Sequence, residues 1–281
     1  MDAPILVTGG TGLLGRLVVP RLRVANRQVR VLSRRPHQDE DGVQYILGDL
    51  GSGGSRVSQA VEGVSVILHL ASGNKGDQDT TRNLVRAAAR LTVADDEDDP
   101  ALGGSGPGAP GTGGGAPHLV FVSVVGADAV PQSYMRSKYE AEQVIADSAL
   151  PWTILRVTQF YDLLLDSLRK GARSPVLPVP GGVPVQPVDA DETAARLVEL
   201  ALAEPAGRVP DLAGPHLMDS GTLTRTYLRA AGRRRLMLPV PLPGVLPGAR
   251  ALKRGALAPE PGSTFTAGTR TWEEFLGTAD L

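Results

Sequence analysis

The 281-residue chain contains no cysteine, which excludes disulfides and every cysteine-based metal site. Its four histidines, at 37, 69, 118 and 216, show no ligand-like spacing, so no metal is expected. No apolar run reaches the roughly 20 residues of a membrane span. The formal net charge of −1 supplies no basic field for nucleic acid or an anionic membrane. The N-terminus reads as a strand, not as a signal peptide. These absences lead us to expect a soluble, cytoplasmic protein with neither nucleic-acid nor membrane partners. Nothing in the sequence sets the oligomeric state. The chain is long enough to bury a sizeable core as one α/β domain with a small appendage. Arginine outnumbers lysine, and Ala, Gly, Pro and Val abound. That composition suggests a GC-rich bacterial genome and says nothing of function.

What is present begins at Ile5. The stretch Ile-Leu-Val-Thr-Gly-Gly-Thr-Gly-Leu-Leu-Gly, ending at Gly15, runs from an aliphatic strand through a glycine turn into an apolar helical pattern (Leu13, Leu14, Leu17, Val18). Strand, tight turn and helix start are what a dinucleotide diphosphate requires, because helix-terminal N–H groups and the helix dipole favour its charge. Gly9 permits the turn, Gly12 lets the backbone approach the diphosphate, and Gly15 lets helix and strand pack closely. Thr11, Leu13 and Leu14 complete the expected cradle. The first glycine step is one residue longer than in the common G-x-G-x-x-G fingerprint.

Strands are expected over 4–8, 28–32, 43–47, 64–70, 118–125 and 151–157. Helices are expected over 12–24, 57–61, 79–91 and 131–149. This alternation predicts a doubly wound parallel sheet of Rossmann type with a small C-terminal substrate-binding cap. We expect a dinucleotide-binding domain over 1–160 and a mixed segment over 161–281 that completes the sheet and forms the cap. Strand 2 ends in Ser33-Arg34-Arg35 with no acid beside it. An acid there would bind a ribose 2′-hydroxyl and repel a 2′-phosphate, whereas arginine attracts it, so NADP(H) is the expected cofactor. Asp49 and Leu50, after strand 3, either meet the adenine edge or, through Asp49, cap the next helix. Ala71-Ser72-Gly73 ends a doubly buried strand and is small enough to lie against the cofactor. His69 reads as a buried strand residue. Residues 92–117 hold five consecutive acids, eight glycines and four prolines and are expected to be disordered. They follow a helix, on the side away from the strands' carboxyl ends, so they are not expected in the chemistry.

In the remainder, 174–189 should be extended and 191–203 an amphipathic helix. A further helix is expected over 220–231, irregular chain over the proline-rich 238–248, and a terminal helix over 271–276. Tyr134 and Lys138 stand at i and i+4 and so share a helix face. A nearby ammonium lowers a phenol's pKa from about 10. Such a tyrosine gives a proton to a carbonyl oxygen as hydride reaches its carbon, and the lysine can also bond the nicotinamide ribose.

With Thr8-Gly-Gly-Thr-Gly-Leu-Leu-Gly15 and Tyr134-x-x-x-Lys138, the sequence resembles the short-chain dehydrogenase/reductase superfamily, in its atypical or extended NmrA-like branch. Leu150 to Phe160, Gln186-Pro-Val-Asp189 and Gly268 to Leu276 extend the resemblance over nearly the whole chain outside 92–117. It implies NAD(P)-linked carbonyl/alcohol chemistry, with Gln159, Phe160, Tyr161 and Gln186 contributing to the substrate pocket. The family's third catalytic group is a Ser or Thr after the fifth strand. The register here puts Val124 at that place and turns Ser123 to the other face. Either a local bend brings Ser123 in, or Tyr134 acts without it. The expected function is NADPH-dependent reduction of a ketone or quinone on a small apolar molecule, of natural-product type. The resemblance also admits a non-catalytic NADP(H) sensor, and the basic run Arg233 to Arg235 admits a sugar-nucleotide epimerase or dehydratase.

Overall fold

The structure, a computed structural model, describes residues 3–73, 76–96, 115–241, 243 and 247–281. The chain opens with β1 (Ile5–Thr8), α1 (Leu13–Val24), β2 (Val29–Ser33), β3 (Val43–Leu47), α2 (Ser55–Val61), β4 (Val66–His69) and α3 (Asp77–Asp96). It continues with β5 (His118–Val124), α4 (Ser133–Ala146), β6 (Trp152–Val157), α5 (Tyr161–Gly171), β7 (Val176–Pro180), β8 (Pro184–Val185) and α6 (Ala190–Leu202). The last elements are β9 (Gly207–Arg208), β10 (Asp211–Ala213), β11 (Met218–Asp219), α7 (Ser220–Ala230), β12 (Leu236–Val240), α8 (Ala249–Lys253), β13 (Phe265–Ala267) and α9 (Trp272–Thr278).

Two compact units interleave along the sequence. One comprises Met1–Val122, Ser137–Leu155 and Ala194–Val209, the other Ser123–Arg136, Arg156–Thr193 and Pro210–Leu281. They therefore do not divide at a single point near 160. The strands β5 and β6 and the helices α4 and α6 each run from one unit into the other.

In the first unit the parallel strands stand in the order β3-β2-β1-β4-β5-β6, with β9 beside the start of β6. Ile5 of β1 pairs with Val29 on one side and Val66 on the other. The order reverses between β1 and β4, and such a switch point opens a crevice at the strands' carboxyl ends. All four residues of β1 are buried, as a central parallel strand covered on both faces requires. Leu6, Leu32, Ile46, Ile67, Phe121 and Ile154 form one apolar face, closed by residues of α2, α3 and α4. Alternation turns Ile5 and Val7 to the other face, where α1 packs with Val18 and Leu22 wholly buried.

The second unit continues from the end of β6 through β10 to β13, all parallel. Its core gathers Tyr161 and Leu165 of α5, Leu223 and Tyr227 of α7, and Trp272 and Phe275 of α9. The Trp272 ring lies 5.3 Å from Tyr161 and 5.5 Å from Phe275. Thr271 opens α9 with a capping box to Glu274, the pattern T-x-x-E read out in geometry.

Three expectations need correction. The helix expected to stop at 91 runs on to Asp96, because Thr92-Val93-Ala94 carries no breaker; 97–114 of the segment expected to be disordered lie outside the described residues. Part of the proline-rich stretch is not irregular, since Leu236–Val240 pairs in parallel with Val176–Pro180. The N–H groups of Leu236 and Gly181 face that ladder, bonding Pro175 and Val240 carbonyls. By alternation the nitrogens of Pro178, Pro180 and Pro239 face outward, where a missing N–H costs nothing. Helix α5, with its Leu164, Leu165 and Leu168, had no counterpart among the expected elements.

Gly15 is the tightest joint of the β1–α1 turn. A Cβ there would stand 2.3 Å from the Gly9 carbonyl oxygen and 2.4 Å from Gly10 Cα, both backbone atoms. Helix propensity alone favours alanine by about 1 kcal/mol, but the overlap outweighs it. Gly15→Ala is expected to destabilise the protein by about 1–3 kcal/mol, read as a lowered urea midpoint.

Candidate functional site

Gly9 adopts φ +71°, and a Cβ on it would stand 2.7 Å from the Ala71 backbone nitrogen. A side chain is excluded there on both counts, so the carboxyl ends of β1 and β4 meet backbone to backbone. The Gly12 N–H bonds the Gly9 carbonyl at 2.9 Å. Gly12 is also the N-cap of the 12-residue α1, and no side chain caps that helix. Thr11, Gly12 and Leu13 are exposed, and among the described residues no side chain caps the first-turn N–H groups. That donor set, at a glycine-lined switch point, fits a dinucleotide diphosphate. Leu14 and Leu50 turn their side chains inward and have only backbone to offer a ligand.

At the end of β2, the Ser33 hydroxyl accepts the Arg35 N–H at 3.1 Å. Arg34 and Arg35 are exposed, and no partner holds either guanidinium among the described residues. Asp49 does not cap α2. Its Oδ1 accepts the Gly51 N–H at 2.9 Å and closes a local turn, while the N-cap of α2 is Gly54. Asn83, which no motif singled out, braces this turn by donating to the Leu50 carbonyl at 2.8 Å.

The opposite wall of the crevice is Ala71-Ser72-Gly73. The Ala71 N–H bonds Thr8 Oγ1 at 3.2 Å. The Ser72 hydroxyl and Gly73 N–H donate to the two carboxylate oxygens of Asp77, at 2.9 and 2.8 Å. Lys138 Nζ lies 3.1 Å from Asp77 Oδ2, both side chains 3% exposed. It also donates to the Val122 carbonyl at 3.2 Å and stands 4.8 Å over the Phe121 ring. Burial pulls the ammonium below its usual pKa, and Asp77 opposes that pull. Sequence reasoning missed Asp77. The helix was expected to begin at 79, which left Asp77 outside it, and two of its partners, Ser137 and Lys138, lie 60 residues on. His69 is fully buried, bonded to Thr8 Oγ1 at 2.7 Å and Thr81 Oγ1 at 3.0 Å, and stacked on Phe121 at 5.3 Å.

In the second unit, Tyr134 is the second residue of α4 and is 37% exposed. Ser123 is buried, and its hydroxyl has no partner among the described residues; Gln159 likewise has both amide ends buried without one. Unpaired buried groups of this kind cost about 1–3 kcal/mol each, and a polar ligand would relieve them. Val124 is partly exposed. Phe160 bridges to Val188. Two expected pocket residues are instead structural. Tyr161 is 1% exposed in the aromatic core and donates to the Arg270 carbonyl at 2.9 Å. Gln186 is buried and donates to the Gly214 carbonyl at 2.8 Å. Both were pocket residues by the family resemblance, and packing here turns them inward. Arg235, from the basic run, donates to the Ala172 carbonyl at 2.8 Å.

Residues 9–94 match the NAD(P)H-binding family. Over 237 residues the chain is 30% identical to the (4-alkanoyl-5-oxo-2,5-dihydrofuran-3-yl)methyl phosphate reductase of Streptomyces griseus, a match covering 82% of this chain and 74% of that reductase. The chain belongs to the NAD(P)-binding Rossmann family, and its structural neighbours lie in the extended, NmrA-like short-chain dehydrogenase/reductase superfamily. Two solved structures share its fold. One is an NADPH-dependent quinone oxidoreductase of Escherichia coli in complex with NADPH (TM-score 0.74, 20% identity, 97% of this chain and 98% of that one). The other is a nucleoside-diphosphate-sugar epimerase of Staphylococcus aureus (TM-score 0.72, 17% identity, 97% and 99%). Within this oxidoreductase superfamily the glycine turn and the α1 N-terminus are the parts that would hold the dinucleotide. No described helix is long and apolar enough to cross a membrane.

Burial first, and then the charge of Lys138, keep His69 neutral by lowering its pKa from 6.5 to about 3; Asp77 opposes the shift. Burial lowers His118 to about 4. Both shifts are downward from the unfolded value, so the unfolded chain binds more protons on acidification. The stability they contribute is complete above about pH 6.5 and is lost as pH falls towards about 3. Urea unfolding across this window is expected to show that decline, and His69→Gln to make it shallower.

Proposed function

We propose that the chain is an NADPH-dependent reductase acting on a carbonyl of a small, largely apolar molecule. The observation that carries this reading is the 30% identity to a reductase across most of both chains, joined to a crevice with the donors a dinucleotide needs. The E. coli neighbour acts on quinones by its name, and the S. griseus relative reduces a furanone bearing an alkanoyl group and a phosphate ester. An oxo group conjugated to a ring is the chemistry common to the two.

In this reading Gly9, Gly12 and the first turn of α1 bind the diphosphate. The unpartnered guanidinium groups of Arg34 and Arg35 bind the 2′-phosphate. Ala71 to Gly73 line the nicotinamide side. When bound, the cofactor supplies hydride. Tyr134 gives its proton to the substrate oxygen as charge develops there. Ser123 and Gln159, buried with hydrogen-bonding capacity unused, orient the substrate. The second reading, an NADP(H) sensor without turnover, is favoured by one feature: the Lys138 ammonium, expected beside the tyrosine, is committed to Asp77.

Two variants test this. Arg34→Ala/Arg35→Ala is expected to weaken NADPH binding by about 10–100-fold, the loss of charge-assisted bonds, and to leave NADH binding unchanged in calorimetry. Tyr134→Phe is expected to lower NADPH oxidation with ketones, quinones and unsaturated lactones by about 10²–10⁴-fold at unchanged cofactor affinity. Tight NADPH binding with no oxidation by the parent across that panel establishes the sensor.

A further inference from the structure

Asp77 is the first residue of α3 and is 2% exposed. An acid at that position ordinarily accepts amide protons of its own helix. Here both carboxylate oxygens point back to the preceding loop, onto Ser72 Oγ and the Gly73 N–H. Consecutive residues of α4 hold Asp77 from the other side: Ser137 Oγ accepts its N–H at 3.0 Å, and Lys138 Nζ meets Oδ2 at 3.1 Å. Around the buried ammonium stand the Asp77 carboxylate, the Val122 carbonyl and the Phe121 ring. The loop so pinned continues directly from Ala71, whose backbone abuts Gly9. A lysine that reached for a ribose would have to leave a buried carboxylate without its counter-charge, which is costly.

We propose that Asp77 is a positioning residue of the nucleotide crevice: its carboxylate sets the Ser72–Gly73 wall, and Lys138 serves as its counter-ion, not as a hydrogen-bond donor to the cofactor. The inference rests on NAD(P)H binding at the crevice. It makes the loop wall, not the lysine, the element that the cofactor feels.

The test is a double-mutant cycle on the full chain, with NADPH titrated by calorimetry and the Gly73 amide followed by hydrogen exchange. Asp77→Asn and Lys138→Met are each expected to weaken NADPH binding by about tenfold. The double variant loses no more than the worse single one, because the two act as a unit. Gly73 exchanges faster in both single variants, while β1 amides keep their protection. If Lys138→Met loses affinity and Asp77→Asn keeps it, the ammonium contacts the cofactor and the proposal falls. Additive losses, or unchanged Gly73 exchange, overturn it equally. Should Asp77→Asn not fold, the double variant, which removes both charges together, carries the decision: parent-like Gly73 exchange there refutes the role. A parent that binds neither NADPH nor NADH overturns the dinucleotide reading and this role with it, whereas a binding parent with unaffected variants overturns this role alone.

Discussion

The near-contact between Gly9 and the backbone of Ala71 constrains everything around the crevice. Two parallel strands end side by side, and the chain leaving one passes so close to the chain leaving the other that a methyl group does not fit. Strand pairing reaches as far as the Leu70 N–H, which bonds the Thr8 carbonyl at 3.1 Å, and the chain beyond is held by side chains. The Thr8 hydroxyl does part of it, taking the Ala71 N–H while bonding His69. The carboxylate of Asp77 does the rest from further along the loop. Thr8, His69, Phe121, Lys138 and Asp77 thus form a buried polar and aromatic chain directly beneath the binding surface. Most of the core around them is aliphatic, and a polar group is tolerated in such a place only when its partners are supplied.

The buried ion pair recasts the tyrosine–lysine motif. Spacing places the two residues on one helix face, but a helix face has depth as well as direction. Tyr134 at the start of α4 is more than a third exposed, while Lys138 one turn on is almost completely buried. A side chain that far inside serves whatever lies beneath the helix. Breaking a buried pair by removing one partner typically costs about 3–5 kcal/mol, so the position is under structural demand whatever the chemistry above it.

How much was legible follows the range of the interactions. The β1–α1 turn was readable to within a residue because strand, glycines and helix are contiguous, and each glycine answers a local steric demand. The six-strand alternation was readable because the strands show as apolar runs, as in β4 and β5, or as alternating apolar residues, as in β2, between helical patterns. Asp77 was not, because its meaning depends on Ser137, 60 residues away. Asp49 offered two roles; the structure shows its carboxylate closing its own turn, so helix capping is removed and the adenine contact is the role that stays open. Tyr161 and Gln186 were read as pocket residues from the family resemblance. Their inward orientation comes from Arg270 and Gly214, which sequence proximity does not reveal. The prolines from 238 on argued for irregular chain, until pairing with β7 set Pro239 of β12 in an outward phase.

The interleaving of the two units bears on how the protein is made. The first unit closes with Ala194–Val209, where β9 lies against β6 and the Ala206 N–H bonds Thr153 Oγ1. A ribosome must therefore emit the chain as far as Val209 before β6 has β9 beside it. Until then β6 stands at a bare margin with open backbone groups, a template for pairing with another nascent chain. Excising the first 160 residues to obtain a minimal nucleotide binder would make that transient condition permanent.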